Sequence, residues 1–387
     1  PGGPLFPQGP VQAILAGAAG VGIAGVDSIY PEWAALMVRP SAAFDFHDDA
    51  PPQPVPVLLP THTAERLFGR PLTELRQGDA GATLAGDIRY HRREVRSRNV
   101  IAVLPGSDPA LRGQYVALGA HSDHDGVRWG ALDHDSLRAL NLAVRAAQGS
   151  SSAPIPAARR RDIEAELAAR RAGARSRADS IFNGADDDGS GSMALLELAE
   201  YFADPANRPR RSLLFVWHTA EEKGLQGSEW FTDHPTVPRD SIVAQLNIDM
   251  IGRGGANDLP GGGDDYVQLL GPRRLSSELG ALIEAVNARR ERPFRIDYQF
   301  DAPGHPEQYY CRSDHWNYAR YGIPVAFFST GDHADYHQLT DEVAYIDFQH
   351  YAAVVGLIGE VAAAIANLDQ RVRVDGPVPG PGAPCVQ

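Results

Sequence analysis

Short apolar runs bounded by turn residues recur along most of the chain: Val100 to Leu104, Tyr115 to Gly119, Leu213 to Trp217, Ile242 to Ile248, Tyr266 to Leu270 and Pro324 to Phe328. Between them, apolar positions repeat at helical spacing over Met193 to Phe202, Leu275 to Arg289 and Phe348 to Leu368. Runs without polar alternation are what strands covered on both faces require, and the intervening helices supply the cover. The pattern predicts an α/β fold, a three-layer α/β/α sandwich on a central mixed, mostly parallel sheet. Residues 1–90 differ in texture. They are rich in Gly, Ala and Pro, with apolar runs at Val11 to Val26 and Val55 to Leu59 and a helical Thr63 to Phe68, as expected of a small β-rich module. The main domain is expected over 91–370. Within it an Ala/Arg-rich stretch at about 127–180, broken by Gly149 to Pro156 into two helical pieces, reads as an insertion. Residues 371–387 are dominated by Pro and Gly and read as a mobile or surface-laid tail.

Composition narrows the classes. The 387 residues, 43% hydrophobic and 22% charged, suit a large globular domain with an appendage, or two domains. A formal net charge of -13 argues against a nucleic-acid partner, and Arg159-Arg160-Arg161 reads as solvated helix surface. No apolar run is expected to span a bilayer. The chain opens on Pro1 without a leader pattern, which suggests a processed or trimmed chain and fits a secreted or periplasmic protein. Cys311 and Cys385 allow one bridge pinning the tail or two free thiols.

Candidate chemistry gathers at the ends of the expected strands, where an open α/β sheet binds its ligands. His121-Ser122-Asp123 follows one strand, Ala220-Glu221-Glu222-Lys223-Gly224 another and Asp249 a third; the loop after Phe328 carries His333, Asp335, His337 and Asp341. Asp186-Asp187-Asp188 opens the helical segment beyond Gly191, and three adjacent carboxylates repel unless they fan out or hold a cation. Imidazole plus carboxylate without thiolate is the donor set of a catalytic zinc or a pair of zincs. A base must also take a proton from the attacking water. Glu221 and Glu222 can divide the two jobs, because neighbouring side chains at a strand end point in different directions.

These segments, with Gly184-Ala185-Asp186-Asp187-Asp188-Gly189-Ser190-Gly191, Asn247-Ile248-Asp249-Met250 and Tyr336-His337-Gln338-Leu339-Thr340-Asp341, resemble the ordered motifs of the M28 family of zinc-dependent aminopeptidases from about Asn99 to Leu368. The resemblance implies a phosphorylase/hydrolase-like fold and two zinc ions per chain acting on a peptide substrate. It makes His121 and Asp249 ligands of one zinc, Glu222 and His337 ligands of the other, and Asp187 the bridge. Glu221 matches the general base, Asp123 the partner of His121, and Asp341 the residue that orients the last histidine. Tyr310 falls where some members place a tyrosine facing the developing oxyanion. Gly17 to Val21 and Pro54 to Pro60 resemble part of a protease-associated domain. Carboxypeptidase, dipeptidase or single-zinc glutaminyl cyclase activity on the same fold, or a non-catalytic metal-containing binding protein, are the alternatives. His124, Asp125, His134, His218, His305 and His333 match no motif and read as surface, rim or hydrogen-bonded core residues. Asp301, Glu307 and Asp314 are candidates for holding a substrate ammonium. Side-chain specificity and oligomeric state are unassigned.

Overall fold

The computed structural model describes residues 20–28, 55–83, 85, 94–148, 155–170 and 176–387. It divides into two compact units, one within Gly3–Arg96 and one covering Ser97–Gln387. In the first, strands β1 (Gly20–Ala24) and β2 (Val55–Leu59) pair in parallel, and helix α1 (Thr61–Phe68) follows. The Asp27 carboxylate accepts both the amide and the hydroxyl of Thr61 at 2.7 Å, which fixes the start of that helix. Much of the rest of the 1–90 module, including most of the run Val11 to Val26 and of Gly17 to Val21, lies outside the described residues, and its likeness to a protease-associated domain stays an expectation.

The second unit runs β3 (Val100–Leu104), β4 (Tyr115–His121), β5 (Gly126–Asp133), α2 (His134–Gln148), α3 (Ala157–Arg170), β6 (Ala178–Phe182), α4 (Gly189–Ala203), β7 (Ser212–His218), α5 (Gln226–Asp233), β8 (Ile242–Ile248), β9 (Tyr266–Leu270), α6 (Ser277–Ala288), β10 (Arg295–Asp297), α7 (His315–Ala319), β11 (Val325–Ser329) and α8 (Phe348–Ala366). Seven strands form one sheet in the order β10-β9-β11-β8-β4-β7-β3. The four central strands β11, β8, β4 and β7 run parallel, while β3 on β7 and β9 on β11 are antiparallel.

Alternation along the strands builds the three layers. Val116, Leu118 and Ala120 of β4, with Leu213 and Phe215 of β7, pack in one core against Leu195, Leu198 and Phe202 of α4 and Leu357, Ile358 and Val361 of α8. Ala117, Leu214 and Val216, one residue out of phase, pack on the opposite face with Phe231, Trp316 and Tyr318. Helix α8 is long and apolar enough by length and composition to cross a membrane, contrary to the expectation from the sequence. Its buried stripe of Val354, Leu357, Ile358, Val361 and Ile365 belongs to this core and packs against the sheet.

The insertion differs from its helical reading. Its two helices rise from an antiparallel ribbon of β5 and β6, in which Gly126 pairs with Phe182 and Val127 with Ile181 before the register shifts. That shift and the exposure of most of β5 remove the alternation by which a strand is recognised. The tail lies on the second unit. Cys385 is bonded to Cys311, the Asp375 carboxylate accepts the Ser277 amide at 2.8 Å, and the Gln387 side-chain oxygen accepts the Tyr310 amide at 2.8 Å.

Candidate metal centre

Parallel strands deliver their C-terminal ends to one edge of the sheet. His121 ends β4, Glu221 and Glu222 follow β7, Asp249 follows β8, and His337 lies on the loop after β11. The aspartate triplet opens α4, which packs on β4. Its three carboxylates point three ways. Asp188 caps α4, accepting the Gly191 amide at 2.9 Å, and also takes the His121 amide at 3.0 Å. Gly191 is required there: a Cβ would sit 2.2 Å from the Ile248 carbonyl oxygen. Asp186 accepts the Gly252 amide at 2.6 Å and faces His333 Nε2 at 3.2 Å. Asp187 lies between two imidazoles, with Oδ1 3.0 Å from His121 Nε2 and Oδ2 3.1 Å from His337 Nε2.

Around that carboxylate the other groups fall on two sides. His121 Nε2 is 3.8 Å from Asp249 Oδ1 and 4.0 Å from Glu221 Oε2. His337 Nε2 is 3.2 Å from Glu222 Oε2. The far nitrogens face oxygens: His121 Nδ1 donates to the Asp123 backbone carbonyl at 3.0 Å, which leaves its Nε2 turned inward, and His337 Nδ1 faces the Asp125 carboxylate at 3.3 Å. The Asp123 carboxylate accepts the amides of Glu221 and Glu222 at 3.0 and 3.3 Å, fixing the turn that presents both glutamates. Backbone strain concentrates at the same turns: Ala220, Met250 and His337 have φ of 55°, 61° and 54°, a region L-residues occupy only when their surroundings hold them.

The donor set fits cationic ligands. Asp187 Oδ2, Asp249 Oδ1 and Glu222 Oε1 are buried without a hydrogen-bond donor. His121, Asp187 and Asp249 each offer an atom within 4.8 Å of the others; so do His124, Asp187 and Glu222, and so do Asp125, Glu222 and His337. Burial pushes the Glu221 carboxyl well above its ordinary range and that of Asp249 up to about 7. Burial disfavours charge on His121, yet Glu221, Asp187 and Asp249 outweigh it and hold the imidazole well above its usual value. So much negative charge in an apolar setting calls for positive charge in its midst.

The model of peptidase family M28 matches residues 171–362. Over these residues the chain belongs to peptidase family M28. It is 31% identical over 194 residues to leucine aminopeptidase 1 of Paracoccidioides brasiliensis strain Pb18, a match covering 47% of each chain. It is 41% identical over 80 residues to leupeptin-inactivating enzyme 1 of Streptomyces exfoliatus, covering 20% of this chain and 18% of that one. The M28 chain thus matches about half the length of the leucine aminopeptidase. Among solved structures it is similar to an aminopeptidase from Aneurinibacillus sp. strain AM-1 (19% identity, TM-score 0.45, 72% of this chain and 51% of the other) and to Porphyromonas gingivalis glutaminyl cyclase (18%, 0.45, 68% and 76%).

Within this M28 chain, three placements depart from the sequence reading. Tyr310 is buried beneath the Arg274 guanidinium, 3.9 Å from its ring centroid, and packs edge-on to His315 and Trp316 rather than against a residue of the cluster. The phenol at the cluster is Tyr336, whose ring lies 4.1 Å from that of His337 and whose oxygen accepts from Arg312 at 2.9 Å. Its signal was its place directly before His337. Asp341 accepts the amides of Asp186 and Asp187 at 3.0 and 3.1 Å and so holds the aspartate loop, while Asp125 orients His337. His124, read as without a role, places Nδ1 2.6 Å from Glu222 Oε1. Of the candidates for a substrate ammonium, Asp301 is engaged by Arg274 and Asp314 lies 3.2 Å from His218 Nδ1.

Proposed function

We propose that this chain is a zinc-dependent exopeptidase that removes N-terminal residues from peptides, with two zinc ions as cofactor. The observation that carries the reading is Asp187 between the inward-facing nitrogens of His121 and His337. His121 and Asp249 would hold one ion, Glu222 and His337 the other, and Asp187 would serve both. Bound there, the ions would supply Lewis acidity toward a peptide carbonyl and the attacking water. Glu221 is the general base: it takes a proton from that water and returns it to the leaving amine, and its buried carboxylate stands 4.0 Å from His121 Nε2. Asp123 positions Glu221 through its backbone amide. Tyr336 receives the Arg312 hydrogen bond on its oxygen, which leaves its own proton free for the oxyanion that develops on the substrate. The leucine aminopeptidase relative supports attack at a free amino terminus, and the surplus of carboxylates suits an ammonium group. The Cys311–Cys385 bond supports an oxidising, secreted or periplasmic location.

Hydrolysis of aminoacyl anilides, compared with N-blocked and C-blocked peptides with and without chelator, tests the reading. Glu221→Gln should lower turnover by about 10²- to 10⁴-fold with bound zinc unchanged; unaltered turnover sinks the assigned mechanism. One zinc equivalent in place of two at this centre would favour the cyclase-like alternative, and binding without turnover the non-catalytic one.

A further inference from the structure

A second cluster of imidazole and carboxylates stands apart from the centre, at the base of the insertion. His134 opens α2 and is fully buried, at 0% exposure. Its Nδ1 lies 3.2 Å from Asp135 Oδ1, so that nitrogen carries the donated proton. Its Nε2 lies 3.4 Å from Glu342 Oε1 and has no hydrogen-bond partner among the described residues. Asp179 of β6 offers the third atom, and the three ligand atoms of His134, Asp179 and Glu342 all lie within 4.8 Å of one another. A bare imidazole lone pair turned on carboxylate oxygens in a buried place is repulsive, and a cation between them reverses the sign. The separation resembles that at the main centre, where His337 Nε2 faces Glu222 Oε2 at 3.2 Å.

The surroundings favour a dication. Asp135, Asp179 and Glu342 bring three carboxylates; Arg177 faces them, its Nη2 3.0 Å from Glu342 Oε2 and its Nε 3.9 Å from Asp135 Oδ1, and offsets only part of that charge. Each carboxylate oxygen has two lone pairs, so Glu342 can keep Arg177 and still offer a ligand. The scaffold is braced independently of any ion. The Arg177 amide donates to Asp133 Oδ1 at 2.7 Å, the His134 amide donates to the Arg177 carbonyl at 2.9 Å, and Tyr345 stacks on the His134 ring at an interplanar angle of 18°.

We propose that His134, Asp179 and Glu342 form a further metal site, separate from the Asp187 centre, that takes a divalent cation of the zinc class and clamps the insertion to the segment after Asp341. One nitrogen and two carboxylate donors without thiolate suit zinc, whereas calcium and magnesium take all-oxygen shells. The clamp has a route to the main centre, because Asp341, the residue before Glu342, holds the amides of Asp186 and Asp187.

The test uses the full chain, stripped with chelator and reloaded with zinc alone, with bound zinc per chain read by mass spectrometry. His134→Gln and Asp179→Asn should each bind one equivalent less than the parent. Asp187→Asn, which disturbs the other centre, should keep the equivalent that His134→Gln loses, so failure of the proposed peptidase reading is distinguishable from failure of this one. Zinc should raise the thermal midpoint of Asp187→Asn, and combining it with Asp179→Asn should remove that rise. Circular dichroism checks folding; if His134→Gln does not fold, the less buried Asp179→Asn decides. Zinc content equal to the parent's in the folded variants overturns the proposal.

Discussion

The centre around Asp187 and the base of the insertion use the same donor types on different scaffolds. At the centre, His121 and Asp249 sit at the ends of strands packed on both faces, and Val116, Leu118, Leu246 and Ile248 are completely buried. The insertion rests on a two-stranded ribbon whose register shifts and whose Val127 and Trp129 are 69% and 83% exposed. Rigid placement comes from burial on both sides of the backbone, so a ligand at a central strand end inherits the stability of the whole sheet, while one on a ribbon has only local bracing. The two regions should therefore respond differently to substitution.

The largest effect is expected at Asp187. Replacement with Ala leaves His121 and His337 without the carboxylate between them, and both bound zinc at this centre and anilide hydrolysis should fall to background; metal analysis and kinetics read this directly, and retention of either would show that the centre does not depend on its shared carboxylate. Next is the layer that supports the centre. Phe202→Ala empties a completely buried position beneath the sheet and should cost about 3–5 kcal/mol in denaturant unfolding. A smaller loss of metal affinity, about 10–100-fold in a zinc competition assay, is expected for Asp341→Asn, which weakens the hold on the Asp186 and Asp187 amides without removing a ligand atom. An unchanged affinity would mean that Asp188 and the helix it caps hold the loop unaided. The smallest effect belongs to the ribbon: Trp129→Ala should change unfolding free energy by no more than about 0.5 kcal/mol. A cost of several kcal/mol there would erase the contrast between the regions.

Much of the fold was legible because the core strands are buried on both faces and leave unbroken apolar runs. Ile242 to Ile248 and Tyr266 to Leu270 coincide with the fully buried β8 and β9, while Val100 to Leu104 coincides with β3, an edge strand whose Val100 and Val103 are exposed and whose apolar run alone marked it. Ribbon β5–β6 was not legible, since a register shift and solvent on most of its length erase the alternation. At the centre, the segments that meet were visible as acidic and histidine groups at strand ends, but their detailed contacts were not. Tyr310 and Tyr336 are both phenols close in sequence to a histidine, and only the chain path decides that one packs under Arg274 and the other on His337.

By itself the sequence determined the layers, the ends of the strands and the set of groups that could gather there, because burial and helical or extended periodicity are local properties written in residue spacing. Only the tertiary structure decided the direction of each group. Three adjacent aspartates separate into a contact to Gly252 and His333, a carboxylate between two imidazoles and a helix cap because amides from β4, from the β8 turn and from α4 select among them. The cap on Gly191 is local, but the amides of His121 and Gly252 come from distant parts of the chain, and the positive φ values at Ala220, Met250 and His337 that aim the neighbouring side chains persist only where packing enforces them. No local spacing encodes either.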